Sequence, residues 1–348
     1  MRILHAGNFG SRAKGAFLHS VAAKISRGLI RAGHHVVDFS DRDVARAATP
    51  FRARKLGVIG ANRALTRLAH DMRPDLLVLG HADTIRANTI ASLRASMPAL
   101  RVLQWNVDPV FEPGNLDRLR GKLHVVDATL VSSAGTALEP LRRPGMHLGF
   151  LPNPVDFSVE NGQSHTRLDL PFDLFFACGH PSRPLRHVCG RVVDMEALLK
   201  MLMGAIPRLR LRVAGLSGQP HVFGHAYQAA LAETAIGLNV SRRNDVPLYS
   251  SDRLAQMAGN GLAILMDRAS FYGSLFSDNE MAFFASLDEL ASQTRRLVAE
   301  PALRCAMAAA GRHRYHALFN ETSIARYLVE VATGTHDPKN YAWPTLVA

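Results

Sequence analysis

Residues 249–265, YSSDRLAQMAGNGLAIL, set Tyr249, Ser250, Ser251 and Asp252 directly ahead of Arg253, with Gln256 one helical turn further on. Hydroxyls and a carboxylate at such a point are the side chains that open and cap a helix. A helix N-terminus presents oriented N–H groups and a partial positive charge, and an arginine beside it adds a charge-assisted donor, so the combination suits a phosphate. An ordinary capped helix, followed by a glycine-broken loop and a core strand, uses the same residues. Both readings stand at this level.

Three further stretches carry residues able to do chemistry. CGHPSRPLRH, residues 178–187, holds Arg183 and Arg186, and with Cys189 it spaces two cysteines and two histidines as Cys-x-His, six residues, His-x-Cys. That spacing matches no close-pair zinc pattern, and no metal site is expected. GNFGSRAKG, residues 7–15, is Gly-x-x-Gly with a third glycine five residues on, not the Gly-x-Gly-x-x-Gly of a dinucleotide loop, and the acidic residue on the next strand is Asp38. Its Gly7, Asn8 and Gly10 either permit close backbone approach to a ligand or make a plain turn. His81 ends PDLLVLGHAD, a position that is equally structural or ligand-facing. Asp108, in QWNVDPVFEPG, serves as a base toward a hydroxyl, orients one, or begins a turn before Pro109. Arg242 and Arg243 close IGLNVSRR, where a charged pair is either an anion contact or solvated surface.

These residues sit at the ends of short β-rich runs. MRILHAG, HHVVDFS, PDLLVLG, LRVLQWNVD and VVDATLVSSAG read as strands, and GAFLHSVAAKISRGLIRAG reads as an amphipathic helix ending on Gly33. After the proline-containing stretch FLPNPVDFSVENGQSHTRLDLPF, a second cycle restarts with DLFFACG and continues through LRLRVAGL, TAIGLNV and LAILMD. RVVDMEALLKMLMGAIPR reads as a helix, with Cys178 in the preceding strand and Cys189 in that helix. Strand and helix alternation predicts an α/β chain of two doubly wound, Rossmann-like domains facing each other across a cleft, with ligands at the carboxyl ends of the strands.

A chain of 348 residues, 47% hydrophobic, is long enough for two cores. Cys178, Cys189 and Cys305 are too few and scattered for a disulfide framework. No signal-peptide core or spanning run is visible, so a soluble cytoplasmic protein is expected. The net charge of +12 is uneven: residues 1–150 hold 22 Lys and Arg against 11 Asp and Glu, and the remainder holds 19 against 18. Arg42, Arg46, Arg52, Arg54 and Lys55 crowd into DRDVARAATPFRARK, which suits an acidic acceptor, a phospholipid surface or a nucleic acid, or is a solvated basic face.

FLPNPVD with Asn153 and Asp156, IGLNVSRR followed by SSDRLAQMAGNGLAILMD, and the terminal GRHRYHALFNETSIARYL together resemble the GT-B glycosyltransferases of the group-1 type, in the CgeB-like (spore maturation protein) branch. The resemblance implies an acceptor-binding domain over 1–155, a nucleotide-sugar-binding domain over 156–320, and a C-terminal helix and tail over 321–348 crossing back to the first domain. It implies a UDP- or GDP-linked sugar as donor, with no other cofactor and no metal, and transfer with retention. Tyr249, Ser250, Ser251, Arg253, Arg183, Arg186 and Arg242 would hold the diphosphate side, and Gln256 stands where a ribose-binding glutamate is expected. His81 would reach the donor sugar, Asp108 the acceptor, and the Gly7, Asn8 and Gly10 loop would approach both. The acceptor would be a surface polysaccharide, lipid-linked sugar, protein or small molecule, with peripheral contact to an anionic membrane through the basic first domain. On this reading Arg253→Ala and Arg183→Ala lose donor binding and keep the fold.

Two other classes compete. A non-catalytic carbohydrate or anionic-surface binder derived from a transferase would account for Gln256. A NAD-dependent oxidoreductase shares the sheets but lacks the glycine pattern. Specific nucleic-acid binding rests on charge alone.

Overall fold

The computed structural model describes residues 1–10, 19–180 and 182–346, and the chain divides into two compact units, Met1–Pro154 with Glu321–Ala348, and Val155–Asn320. The first unit runs β1 (Arg2–Gly7), α1 (Val21–Arg31), β2 (His35–Ser40), α2 (Asp41–Ala47), α3 (Val58–Met72), β3 (Leu76–Gly80), α4 (Ala87–Ser96), β4 (Arg101–Asn106), α5 (Pro113–Arg120), β5 (Ala128–Val131) and β6 (His147–Phe150). Its strands form one parallel sheet in the order β2-β1-β3-β4-β5-β6. Central strands covered on both faces need unbroken apolar runs, and β3 (LLVLG) and β5 (ATLV) are buried at every position. The strand order reverses between β1 and β3, where Gly7 pairs with Gly80. The part of the first helical run over residues 15–18 lies outside the described residues; the described helix opens at Ser20, whose Oγ accepts from Ala23 N at 3.3 Å.

The second unit runs β7 (Phe172–Ala177), β8 (Leu185–Val188), β9 (Arg191–Asp194), α6 (Met195–Ala205), β10 (Leu211–Ala214), α7 (Gly224–Ala232), β11 (Thr234–Asn239), α8 (Asp252–Gly259), β12 (Ala263–Asp267), β13 (Ala282–Phe284), α9 (Leu287–Ala299) and α10 (Pro301–Phe319). Five of its strands form a parallel sheet, β10-β7-β11-β12-β13, reversing between β7 and β11. Leu174, Phe176, Ile236, Leu238 and Leu265 from the sheet pack with Leu198, Leu202, Leu290 and Leu297 from the helices.

The segment expected to be one helix from Arg191 is divided. β8 and β9 form an antiparallel hairpin, Val188 paired with Arg191, and α6 begins only at Met195. Cys189 therefore lies in a two-residue turn and not in a helix. Cys189 and Gly190 both have positive φ, 49° and 73°, as a type I′ hairpin turn requires. The Asp267 carboxylate, at the end of β12, accepts from Cys189 N at 2.7 Å and holds the turn down.

Beyond the second unit the chain returns to the first as α11 (Glu321–Thr333), which packs on α1. The approach is close: a Cβ on Gly28 would lie 2.1 Å from Glu321 O, and Arg31 Nη1 pairs with Glu321 Oε1 at 2.6 Å. The C-terminal segment then covers the sheet edge, with Phe150 N donating to Thr345 O at 2.9 Å and Gly149 bridging Leu346. Among the described residues no helix is long and apolar enough to cross a membrane.

Candidate functional site

In an open parallel sheet, the crevice where strand order reverses lies between loops that diverge to opposite faces, which leaves backbone groups and loop side chains open to a ligand. In the second unit that point is the carboxyl end of β7 and β11. Arg253, in the first turn of α8, joins the two: Nη2 donates to Val240 O at 2.7 Å, Nη1 donates to Ala177 O, and the guanidinium stacks 5.1 Å over the Phe176 ring. Arg186, buried on β8, donates through Nη1 to Arg183 O at 2.5 Å and Leu185 O at 2.9 Å, and through Nη2 to Cys178 Sγ at 3.3 Å. Neither arginine is paired with a carboxylate. Burial lowers the Arg253 pKa from its usual value, and the neighbouring Arg186 charge acts in the same direction. Two adjacent buried cations without a counter-ion make a site that an anion would neutralise.

Three polar atoms around them are buried with no hydrogen-bond partner: Ser251 Oγ, Ser241 Oγ and Arg253 Nε. Ser251 stands at the cap position of α8 yet makes no side-chain cap bond. Ser241 follows Val240, and its loop is folded by Asn244, which accepts from Ser241 N at 2.9 Å and donates to His187 O at 2.6 Å. Orphaned buried hydroxyls cost about 1–3 kcal/mol each, a cost that a bound oxygen-rich ligand removes.

The other expected donor-site residues are placed as follows. The Ser250 hydroxyl lies in the core, 2.8 Å from Tyr272 OH, where the buried phenol needs a partner. Arg253 is a structural clamp as well as a charge, through its bonds to Ala177 O and Val240 O. Gln256 Nε2 donates to the Asp252 carboxylate one turn back, which leaves its second N–H and its carbonyl oxygen for a diol. Tyr249 is buried, Arg183 is exposed with its N–H on His180 O at 3.0 Å, and Arg242 is half-buried with its carbonyl accepting from His187 N at 2.9 Å. Ser241 and Asn244 escaped the sequence reading; their only signal was a polar loop directly after a fully buried strand. Burial, reinforced by Asp267, pushes the Cys189 thiol up to about 12, and no group of three metal-ligating side chains occurs among the described residues.

The reversal point of the first sheet gathers a second set. His81 follows β3 with φ 59°, its N–H on Trp105 O at 3.2 Å and its Nδ1 3.4 Å from Asp108 Oδ2. Arg118 bridges Asp108 at 3.0 Å and Asp83 at 3.1 Å, and Arg42 pairs with the other Asp83 oxygen. Burial lowers the His81 pKa despite the Asp108 charge, so the imidazole stays neutral at pH 7. Behind it lies a buried chain: Trp105 Nε1 donates to His5 Nε2 at 3.2 Å, His5 Nδ1 faces Ser26 Oγ at 2.8 Å, and Ser26 Oγ donates to Asp38 at 2.5 Å. Desolvation lowers the His5 pKa to about 3, which fixes it as a neutral link. Gly7 ends β1 beside Gly80 and Asn8 and Gly10 follow it, while residues 11–15 of their loop lie outside the described residues. The basic segment is not one patch, because Arg42 and Arg46 are paired with Asp83 and Asp43.

Two parallel-sheet, Rossmann-like units in one chain define the GT-B fold. Within that class, residues 191–330 match the model of the family described as glycosyl transferase-like. Anabaena Alr3699/HepE, solved in complex with UDP and glucose, is similar over 96% of this chain and 100% of its own, with TM-score 0.62 at 12% identity. The same protein in complex with UDP-glucose gives TM-score 0.62 at 11% identity over 96% and 100% of the two chains. AviGT4, a glycosyltransferase involved in avilamycin A biosynthesis, gives 0.55 at 14% identity over 96% and 98%. No curated protein sequence matches the chain.

Proposed function

We propose that the protein is a glycosyltransferase that moves a sugar from a nucleoside diphosphate to an acceptor hydroxyl. The observation that carries this is the unneutralised Arg186 and Arg253 pair, ringed by the partnerless Ser241 Oγ, Ser251 Oγ and Arg253 Nε at one sheet reversal. The diphosphate sits there, and the two guanidiniums balance the charge that develops on the leaving group. HepE binding UDP and UDP-glucose supports a uridine donor, with a guanosine donor the alternative. In the first unit, neutral His81 donates to the sugar and Asp108, held by Arg118, orients the acceptor hydroxyl. Transfer with retention, activity in EDTA and a place in the CgeB-like branch complete the reading.

Calorimetry and thermal shift against UDP, GDP, dTDP, CMP and ADP in EDTA, with NAD as control, test it. One nucleoside diphosphate should bind saturably and stabilise the protein; binding of NAD alone, or of none, would overturn the reading. Gln256 engaged by Asp252 favours a second reading, a binder without turnover. It predicts nucleotide binding with no sugar released or transferred on prolonged incubation with the donor.

A further inference from the structure

Phe51 and Leu56 are the most exposed large hydrophobic side chains among the described residues, at 86% and 69%, and Ile59, at the start of α3, is 53% exposed. All three fall within nine residues. The loop that presents them is built: Ala53 N donates to Thr49 Oγ1 at 2.9 Å, Leu56 N and Gly57 N turn back to Ala53 O at 3.1 and 3.2 Å, and Gly57 is pressed against Ala45. An ordered loop and helix start that keep three large apolar side chains in water form an exposed apolar patch of the kind that marks an interaction surface.

The charge along this stretch of chain has one sign. Between Val44 and His70 the chain has no Asp or Glu. Arg52 and Lys55 are exposed beside Phe51 and Leu56, Arg54 is half-buried between them, and Arg63 and Arg67 are exposed one and two turns along α3 from Ile59. None of these five side chains is hydrogen-bonded or ion-paired within the described structure, whereas those of Arg42 and Arg46 are. The opposite face of α3 is buried through Ala61, Leu65 and Ala69, so the helix is oriented with its cationic face outward.

We propose that the α2–α3 loop and the outer face of α3 form a docking surface for an anionic lipid bilayer. Phe51, Leu56 and Ile59 enter the boundary between headgroups and acyl chains while the five cations meet the lipid phosphates. A nucleic acid would use the cations and could stack on Phe51, but it offers nothing to Leu56 and Ile59. The surface goes beyond the transferase reading and does not depend on it.

Flotation of the full-length protein with vesicles of phosphatidylcholine, alone or mixed with phosphatidylglycerol, tests this. The protein should float with the mixed vesicles only, and less as salt is raised. Phe51→Ser with Leu56→Ser should weaken the partition at least about tenfold, and Arg52→Ala, Lys55→Ala and Arg63→Ala about fivefold each. Because these side chains make no internal contacts of consequence, the variants should melt as wild type does. Equal binding to neutral vesicles, unchanged partition of the variants, or binding to a DNA or RNA oligonucleotide without binding to vesicles would overturn the proposal. Nucleoside-diphosphate binding, measured on the same variants, reports separately on the second unit.

Discussion

Arg253 donates to the last carbonyl of β7 and to the carbonyl just after β11, and its truncation strands both. Arg253→Ala should therefore lower stability by about 2–4 kcal/mol and abolish nucleotide binding together. Ser251→Ala separates the two effects: its hydroxyl has no partner to lose, so the melting temperature should hold while UDP affinity falls about tenfold. A matched pair of melting curves and titrations decides the point. His5 makes a different prediction. Its pKa is lowered to about 3 in the fold against about 6.5 unfolded. Between those values the unfolded chain takes up the proton and the folded one does not, so stability is lost as pH falls below about 6.5, at about 1.4 kcal/mol per unit. His5→Gln should flatten that part of the acid limb in urea titrations at pH 7 and pH 5. The helix opening at Ser251 and Arg253 was legible because caps are local. The direction of Ser250 was not, since Tyr272 lies 22 residues further on, and neither was the role of Ser241, which depends on where Arg253 points.

Elements were readable where burial forces a pattern. The apolar runs of β3, β5, β11 and β12 can only be central strands in a covered sheet. β9 was hidden because RVVD runs into a helix without a break, and because Cys189-Gly190 is not the usual Asn-Gly of its turn. The turn chemistry is testable. A Cβ on Gly190 meets nothing within 4 Å, so Gly190→Ala should cost only backbone strain, about 1–2 kcal/mol, and Cys189→Asn should leave stability equal or higher. Denaturant midpoints would show the opposite order if the hairpin turn were otherwise. Gly28 marks the reverse case, in which space decides. Gly28→Ala puts a methyl into the Glu321 carbonyl and should loosen α11 from α1, seen as faster amide exchange in both helices.

At the scale of the whole chain, the second unit is an insertion in the first. Its ends are tied together, with Val155 N donating to Phe319 O at 2.9 Å and Val155 bridging Asn320. Residues 155–320 expressed alone should fold and bind the same nucleoside diphosphate as the full chain; a fragment that binds none would place part of the nucleotide grip outside it. Two α/β units could be read from the two cycles of strands, but the return of α11 to the first unit rests on packing at Gly28, which no periodicity reveals.

The late return of the C-terminal segment also sets an order on the ribosome. The inserted unit is complete once Asn320 emerges, while the first sheet waits for α11 and for the Thr345–Leu346 segment that closes the β6 edge. At about 5–20 residues per second, the nascent first unit spends roughly 10–40 s with that edge open. The segment that covers the β6 edge is thus made long after that edge, which until then is open to pairing with another nascent copy.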